Sequence, residues 1–439
     1  MSIPIIQTDR PLSDARVLAL RDRLRAGGVQ SAAEARQDIP AVVRELIADV
    51  ERRGEQAVLE ATQRLHWKDA SLDGLRVEAA RISRAAKDPT VQPMLPVLRR
   101  AAENIRRYQE SIKVQAPPEL VRGGRRLAVR YTPVERVAVY VPGGRAIYPS
   151  SVLMTVVPAQ AAGVGRIAMV CPPNRRGRLD PMVLALAGML GIQEVWAAAG
   201  VAALAALAIG TGRFAKVDMI AGPGSAFITE AKRQLFGRVG IDSLAGPSEV
   251  LIIADRTARA DWVAADLLAQ AEHDPGSAIL VTDSPELASA AVQEVEAQAG
   301  RLERAEAIRA GLAANSAIIL VPDLDAACAV ANELASEHLQ IIAADDQAVL
   351  AKVRHAGAIF LGPATPVALG DYYAGPSHVL PTGGTARFVG PLSVNSFLKA
   401  SSVVRYDLEA LKADADDVIQ FAAGEGLTAH AQAIRIRKQ

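Results

Sequence analysis

The feature that most constrains the fold is an alternation of short apolar runs with helical stretches, which begins near residue 136. The apolar runs, each about the length of a strand, lie at 136–141, 166–171, 194–198, 217–221, 248–254, 277–282, 317–321 and 357–361. Strands that alternate with helices are typical of parallel sheets with crossover helices. The runs are too many for one small sheet, so we predict an α/β fold with two Rossmann-like parallel-sheet domains.

The sequence on either side of this region has helical spacing instead. Apolar positions recur at helical intervals in 40–65 and 89–113, whereas residues 1–34 are polar and indicate an arm with a short helix. The last segment also has mostly helical periodicity. We therefore expect an N-terminal arm at 1–34, a discontinuous first α/β domain at 35–139 and 249–391, a second α/β domain at 140–248, and a small C-terminal unit at 392–439.

Composition excludes several classes of protein. The formal net charge is +1 over 439 residues, which gives no electrostatic footprint for nucleic acid. Cys171 and Cys328 lie far apart in apolar surroundings and indicate buried thiols in a reducing compartment. The longest apolar run, 196–209, is shorter than the roughly 20 residues that a bilayer requires. No basic region followed by an apolar stretch opens the sequence, so we expect a soluble cytoplasmic protein.

Glycine patterns leave nucleotide binding open. Gly163-Val164-Gly165 resembles a dinucleotide fingerprint but precedes a strand, which is the wrong context. Gly222-Pro223-Gly224-Ser225 follows the apolar run 217–221 and opens a predicted helix, where backbone N–H groups could hold an anion. Its third glycine is missing, and a tight strand-to-helix turn explains it equally well. Pro142-Gly143-Gly144 has the same ambiguity, so spacing alone makes NAD only one of the alternatives.

Metal-binding residue types occur at suggestive places among the six histidines. Gln270 and His273 lie three apart on a predicted helix that Pro275 ends, so their side chains share one face. Imidazole is a good zinc ligand, and a neutral amide oxygen is a weaker one. Asp371, in a predicted Gly-Asp-Tyr loop, and His430, near the C-terminus, could add ligands. Taken singly, each of these residues is more often structural.

An adjacent acid and base, Glu337-His338, stands at the end of a predicted helix in NELASEHLQI. Both side chains can move protons in catalysis. The alternative is an ordinary exposed helix terminus, which the local sequence favours. We expect His66 and His355 to have structural roles, and the role of His378 stays undecided.

Taken in order, the chemical segments resemble the histidinol dehydrogenase family over nearly the whole chain. The matching motifs fall in the family's order and at its spacing: VYVPGGRAIYPSSVLM (139–154), GPGSAFITEAKR (222–233), GIDSLAGPSEVLIIAD (240–255), DLLAQAEHDPGSAILVT (266–282), SEHLQI (336–341), GDYYAGPSHVLPTGGTARF (370–388) and EGLTAHAQAIRIR (425–437).

The resemblance implies a role for each candidate residue. His338 would be the base that removes the alcohol proton, and Glu337 would activate water for a second step. The implied zinc ligands are Gln270, His273, Asp371 and His430. The implied substrate contacts are Ser248, Gln270, His273, His338, Asp371, Glu425 and His430, with Glu425 suited to a substrate ammonium.

The resemblance also implies a reaction, a cofactor and a partner. Members oxidise L-histidinol to L-histidine through L-histidinal and reduce two NAD. They form intertwined homodimers in which His430 would come from the partner chain, so 392–439 is expected to be a dimerisation unit. Tyr140, Ala202 and Ser225 occupy positions that contact NAD in the family, although the family's usual residues are Gln where Ala202 stands and Asn where Ser225 stands.

These two departures keep other interpretations open. One is a related enzyme that oxidises another small polar alcohol with NAD. The other is a zinc-binding protein that has lost its dehydrogenase activity. The presence of Ser248 and Glu425 weighs against the first, and the Glu337-His338 pair weighs against the second.

Overall fold

A computed structural model describes residues 3–26, 38–143, 148–273 and 276–438. Its strands are β1 (Ile5–Gln7), β2 (Leu120–Arg122), β3 (Arg125–Pro133), β4 (Arg136–Tyr140), β5 (Arg166–Cys171), β6 (Glu194–Ala197), β7 (Met219–Ala221), β8 (Gly240–Ile241), β9 (Ser248–Ala254), β10 (Gly276–Thr282), β11 (Ala317–Leu320), β12 (His338–Ile342), β13 (Ala358–Leu361) and β14 (Leu398–Tyr406).

Seventeen α-helices connect or flank these strands in the described part of the chain. They are α1 (Ala15–Arg25), α2 (Ile39–Arg53), α3 (Glu55–Leu65), α4 (Ala79–Ala85), α5 (Leu95–Ser111), α6 (Pro149–Ala162), α7 (Pro181–Met189), α8 (Gly200–Ile209), α9 (Ala226–Leu235), α10 (Ala260–Ala271), α11 (Pro285–Ala299), α12 (Ala305–Asn315), α13 (Leu324–Leu334), α14 (Asp346–Leu350), α15 (Val367–Tyr372), α16 (Leu408–Gly424) and α17 (Thr428–Lys438).

A six-stranded parallel sheet forms one half of the molecule, in the order β1-β11-β10-β9-β12-β13. Separate apolar clusters cover its two faces, so that neighbouring residues of β9 such as Leu251 and Ile252 face different cores. Burial on both faces explains why these strands are continuous apolar runs without alternation.

A five-stranded parallel sheet forms the other half, in the order β6-β5-β4-β7-β8. Helices α4 to α7 contribute to the core on one face, and α2, α3, α8 and α9 to the core on the other. These two parallel sheets confirm the predicted α/β fold. From the sequence we expected 35–139 and 249–391 to form one domain. In the structure, the helices of 35–139 pack on the five-stranded sheet instead. The domain boundaries themselves stay a prediction.

A third sheet is antiparallel and carries the C-terminal segment. Strand β14 pairs with β3, with Ser402 opposite Val129, and β2 lies on the other side of β3. Helices α16 and α17 then pack against each other. The sequence predicted mostly helix for 392–439 and so missed β14, because that strand is stabilised by a partner strand far earlier in the chain.

Several smaller expectations are settled by the fold. Cys171 and Cys328 are both buried and free, as predicted. Gly163 ends α6 and adopts the left-handed conformation, at φ 96°. Because it follows a helix and precedes β5, it does not lie where a dinucleotide fingerprint would, after a strand. None of the described helices is long and apolar enough to span a membrane.

Candidate active site

The acid–base groups lie at the amino ends of β9 and β12, two neighbouring parallel strands. Ser248 is the first residue of β9, His338 is the first residue of β12, and His338 is in register with Val250. The sequence placed Glu337-His338 at an exposed helix terminus. That placement is wrong: α13 ends at Leu334, and both side chains are buried where β12 begins.

The turn between α13 and β12 explains the error. Ala335 ends α13 at φ 50°, the single left-handed non-glycine residue in the described ranges. Left-handed backbone normally calls for Gly or Asn, so an alanine gives no sequence signal for a helix end. Three residues, Ala335 to Glu337, separate the end of α13 from the start of β12, so Glu337 directly precedes the strand.

Glu337 is held by two donors from β9. The hydroxyl of Ser248 donates to Glu337 Oε2 at 2.7 Å, and the backbone N–H of Glu249 donates to the same oxygen at 3.0 Å. Burial raises the pKa of Glu337, while His338 and the Ser248 hydroxyl act in the opposite direction. A buried carboxyl with a raised pKa is suited to proton transfer near neutral pH.

Glu249 is a second buried carboxyl, which the sequence analysis missed. Its Oε1 accepts the backbone N–H of Glu337 at 3.2 Å and that of Gly383 at 2.9 Å. Burial, and then the nearby Glu337 carboxyl, raise the pKa of Glu249 to about 8. The available signal was a charged residue at the start of an apolar run, next to Ser248.

His338 has one ring nitrogen engaged and one available. Nδ1 lies 3.1 Å from the backbone carbonyl oxygen of Glu249, which fixes a proton on Nδ1. Nε2 has no hydrogen-bond partner in the described part of the chain and lies 3.5 Å from Asp371 Oδ1. Burial acts to lower the pKa of His338, but Glu337 and Asp371 outweigh it and raise that pKa to about 9. Nε2 is therefore the atom that can exchange a proton.

Three of the predicted metal ligands come from two helix ends beside His338. Gln270 is buried in the last turn of α10, and its Nε2 has no hydrogen-bond partner among the described residues. His273 lies just past that helix, and its backbone N–H donates to the Gln270 carbonyl oxygen at 3.2 Å. His273 is exposed in the single chain, but desolvation by its neighbours lowers its pKa, which favours the neutral imidazole that a metal ligand requires. Pro275, expected to end this helix, lies outside the described residues.

Asp371 lies in the short helix α15 and not in the loop that the sequence predicted. Burial acts to raise the pKa of Asp371, but the contact with His338 holds that pKa below its ordinary value. His378, undecided from the sequence, belongs to this group: its Nδ1 lies 3.0 Å from the Asp371 carbonyl oxygen. His378 Nε2 lies 3.4 Å from the hydroxyl of Ser151, on α6. The contact joins the two halves of the molecule at the site.

The residue types of this set suit zinc. Imidazole and carboxylate are common zinc ligands, and the Gln270 amide would bind through its oxygen. Among the described residues, no three His, Cys, Asp or Glu side chains form a cluster that could hold a metal. His430 and Glu425 are exposed on the C-terminal helices, and the structure does not bring them together with the other three.

The positions expected to contact NAD lie around the five-stranded sheet. Tyr140 is buried at the carboxyl end of β4, Ala202 is buried in α8, and Ser225 is exposed just before α9. A Cβ atom at Gly200 would lie 2.7 Å from the Tyr140 ring, and one at Gly222 would overlap the Tyr140 carbonyl oxygen. Glycine is required at both places because the backbone passes directly against Tyr140. Of Pro142-Gly143-Gly144, the last residue lies outside the described ranges.

A buried ion pair that the sequence analysis missed fixes the Gly222 turn. Lys232 and Asp242 form a salt bridge with both side chains almost fully buried. Lys232 Nζ donates to the Gly222 carbonyl oxygen at 3.1 Å, and the Gly222 N–H donates to Asp242 Oδ2 at 2.7 Å. Each charge is thus hydrogen-bonded to the turn as well as paired, as a buried charge requires.

Comparisons with known proteins agree in sequence and in structure. The family model described as Histidinol dehydrogenase matches residues 29–438. The histidinol dehydrogenase of Rhodopirellula baltica is 47% identical over 400 residues, covering 91% of this chain and 86% of its own length. That of Bradyrhizobium diazoefficiens is 45% identical over 407 residues, covering 92% and 94%. The crystal structure of histidinol dehydrogenase from Elizabethkingia anophelis has a TM-score of 0.89 at 31% identity and covers 100% of this chain and 98% of its own.

Proposed function

Because the chain belongs to the histidinol dehydrogenase family, whose members are NAD-linked oxidoreductases, we propose that it oxidises L-histidinol to L-histidine through L-histidinal with reduction of two NAD. The observation that carries the proposal is the buried pair Glu337 and His338, two residues able to transfer protons, which hydrogen bonds from half-buried Ser248 and to the Glu249 carbonyl oxygen hold side by side. Two successive oxidations at one carbon need these two functions.

In the first oxidation, the alcohol loses a proton and a hydride. His338 takes the hydroxyl proton on Nε2, while its Nδ1 keeps the other proton and donates it in a hydrogen bond to the Glu249 carbonyl oxygen. The hydride would go to NAD, when NAD is bound. Because Asp371 contributes to the raised pKa of His338, any cation held by Asp371 lowers that pKa towards the range of a general base.

In the second oxidation, water adds to the aldehyde and a second hydride leaves. Glu337 takes a proton from that water, and the Ser248 hydroxyl and the Glu249 N–H keep its Oε2 in place. The site is buried, so the aldehyde is retained between the two steps and is shielded from side reactions.

Zinc belongs to this proposal as a resident metal. Gln270, His273 and Asp371 of one chain would hold it, and it would bind the substrate imidazole and amine and so orient the reacting carbon. The lowered pKa of His273 and the position of buried Gln270 in the last turn of α10, just before His273, support this assignment.

A homodimer completes the proposal. Apolar residues of the antiparallel sheet and of the C-terminal helices are exposed in the single chain, among them Leu120, Val121, Val404 and Phe421. Patches of this kind mark interaction surfaces. Glu425 and His430 lie on the same unit, so a partner chain that receives this unit would receive a substrate contact and the fourth zinc ligand.

A second candidate function is suggested by two of the positions expected to contact NAD. Ala202 is buried and has no side-chain group that can hydrogen-bond, and Ser225 is shorter than the asparagine it replaces. This favours, as an alternative, a family relative that oxidises another small polar alcohol with NAD.

One assay separates these candidates. NADH formation is measured with L-histidinol and with a panel of small polar alcohols, with added zinc and after chelation. We expect L-histidinol to be preferred and turnover to be lost on chelation. Preference for another alcohol would reject histidinol oxidation in favour of the alternative, and no turnover with any alcohol would leave only the metal-binding interpretation.

A further inference from the structure

We propose that Glu249 is a positioning residue, whose buried carboxyl holds the Glu337-His338 segment in its working geometry. The inference rests on the proposed roles of Glu337 and His338, which Glu249 touches. Glu249 need not contact substrate, metal or NAD for this role.

The contacts between Glu249 and Glu337 run in both directions. The Glu337 backbone N–H donates to Glu249 Oε1, and the Glu249 backbone N–H donates to Glu337 Oε2. The first contact fixes where the backbone of Glu337 lies, and the second fixes where its carboxylate points. The Glu249 backbone carbonyl oxygen also accepts from His338 Nδ1, so the backbone at Glu249 contacts both proton-transfer groups. The bond from the Glu337 N–H to the carboxyl is the one contact with this segment that a substitution of the Glu249 side chain removes.

The carboxyl of Glu249 is itself anchored from a third direction. Gly383 donates its N–H to the same Oε1. The Gly383-Gly384 loop is wedged between two helix ends: a Cβ at Gly383 would lie 3.3 Å from the Leu24 carbonyl oxygen, and one at Gly384 would lie 3.4 Å from the Leu334 carbonyl oxygen. Glu249 therefore links the segment that holds Glu337 and His338 to the Gly383 loop between the ends of α1 and α13.

The opposite end of β9 provides a matched control. Asp255 follows this strand, and its Oδ2 accepts the Ala344 N–H at 2.8 Å, just beyond the end of β12. Asp255 thus ties the same two strands together by the same kind of bond. At about 3.3 Å per residue, the strand separates it from Glu249 by roughly 20 Å. Removal of either carboxyl deletes a hydrogen bond between the two strands, but only the bond of Glu249 lies at the proposed site.

The experiment compares Glu249→Ala, Glu249→Gln and Asp255→Ala in the full chain, with Glu337→Gln and His338→Ala alongside. The readouts are kcat and KM for L-histidinol and the midpoint of thermal unfolding. Glu249→Ala should lower kcat by about 10²-fold, the cost of a displaced catalytic group, and leave KM within about threefold. Glu249→Gln keeps an acceptor oxygen and should restore kcat to within about threefold of the parent. Asp255→Ala should lower the midpoint and keep kcat.

Three results would overturn the inference. They are an unchanged kcat in Glu249→Ala, an equal loss of kcat in Asp255→Ala, and a Glu249→Gln variant as impaired as Glu249→Ala. If Glu249→Ala does not fold, Glu249→Met, which has similar length and no strong acceptor, replaces it. Full activity in Glu337→Gln and His338→Ala would instead reject the proposed function, so the two failures are distinguishable.

Discussion

Around Ser248, burial and ion pairing shift the pKa values of neighbouring ionisable groups in opposite directions. Burial raises the pKa of Glu337, whereas contact with His338 keeps that of Asp371 low. The sequence could single out Glu337 and His338, because an adjacent acid and base is a local pattern. It could not reveal Glu249 as their neighbour, because that contact depends on the register between two strands far apart in the chain. Contacts of this kind between distant residues depend on the fold and cannot be inferred from the spacing of residues in the sequence.

The division of labour between the two proton-transfer residues can be tested by direction of reaction. His338→Ala should slow histidinol oxidation by about 10²–10⁴-fold, the usual contribution of a general base. Glu337→Gln should slow the oxidation of histidinal more than its reduction to histidinol, because only the oxidation needs activated water. Rates in both directions, followed through NADH, check this. Equal losses of Glu337→Gln in both directions would contradict the division.

Zinc binding can be tested at His273 by metal content alone. Removal of one ligand from a site of four protein ligands should sharply reduce retention of zinc. Metal analysis of the parent should give about one zinc per chain, and His273→Ala should give far less after the same dialysis. His355→Ala, a histidine not assigned to the site, is the control and should keep its zinc. Equal zinc content in the two variants would rule out His273 as a ligand.

At the scale of elements, strands buried on both faces were predictable from the sequence, whereas a strand defined by its pairing with a distant strand was not. The run predicted at 166–171 is β5 and the run at 248–254 is β9, since burial on both faces leaves a continuous apolar signal. Strand β12 is also buried, but it begins with a histidine and follows a helix without an intervening glycine or proline. Strand β14 is largely exposed, so only its pairing with β3 defines it. The glycine turn after β7, in contrast, was visible in the sequence, and its packing gives that turn a testable role.

Substitution of Gly222 should damage cofactor binding more than general stability. Gly222 has φ 117°, and a Cβ there would overlap the Tyr140 carbonyl oxygen. Gly222→Ala should therefore cost about 1–3 kcal/mol of backbone strain and also displace the turn beside Tyr140, raising KM for NAD. Gly237→Ala is the matched control, because Gly237 also has a positive φ, 96°, but nothing within 4 Å of its Cβ position. Thermal unfolding and KM for NAD check both variants; an equal rise in KM would show that the Tyr140 contact is irrelevant.

At the scale of the whole molecule, the two sheets present opposite ends to the functional region. The acid–base group lies at the amino ends of β9 and β12, whereas Tyr140 and the Gly222 turn lie at the carboxyl ends of β4 and β7. Parallel α/β sheets ordinarily bind ligands at carboxyl ends. In the proposed site the six-stranded sheet would depart from that rule. Hydrogen bonds from Ser377 to Met154 and between His378 and Ser151 join the halves there. In the proposed dimer, the exposed C-terminal unit of one chain would complete the site of the other.

A shared site makes a quantitative prediction for mixed subunits. In the proposed dimer, one site takes His273 from its own chain and His430 from the partner. His430→Ala and His273→Ala proteins should each be inactive. In a heterodimer of the two, however, one site carries both defects and the other carries neither. Random exchange makes half of the dimers heterodimers, each with one intact site of two, so activity should return to about a quarter of the parent value.

The control for this experiment mixes His273→Ala with Asp371→Ala, whose altered residues belong to the same chain's part of the site. Every site in that mixture carries at least one defect, so no activity should return. Exchange is first confirmed by native mass spectrometry of differently tagged chains. If each parent is inactive and the His430→Ala and His273→Ala mixture then stays inactive as well, His430 acts within its own chain. Recovery needs one wholly intact site, so activity in the mixture depends on whether the exposed C-terminal unit of one chain completes the zinc site of the other.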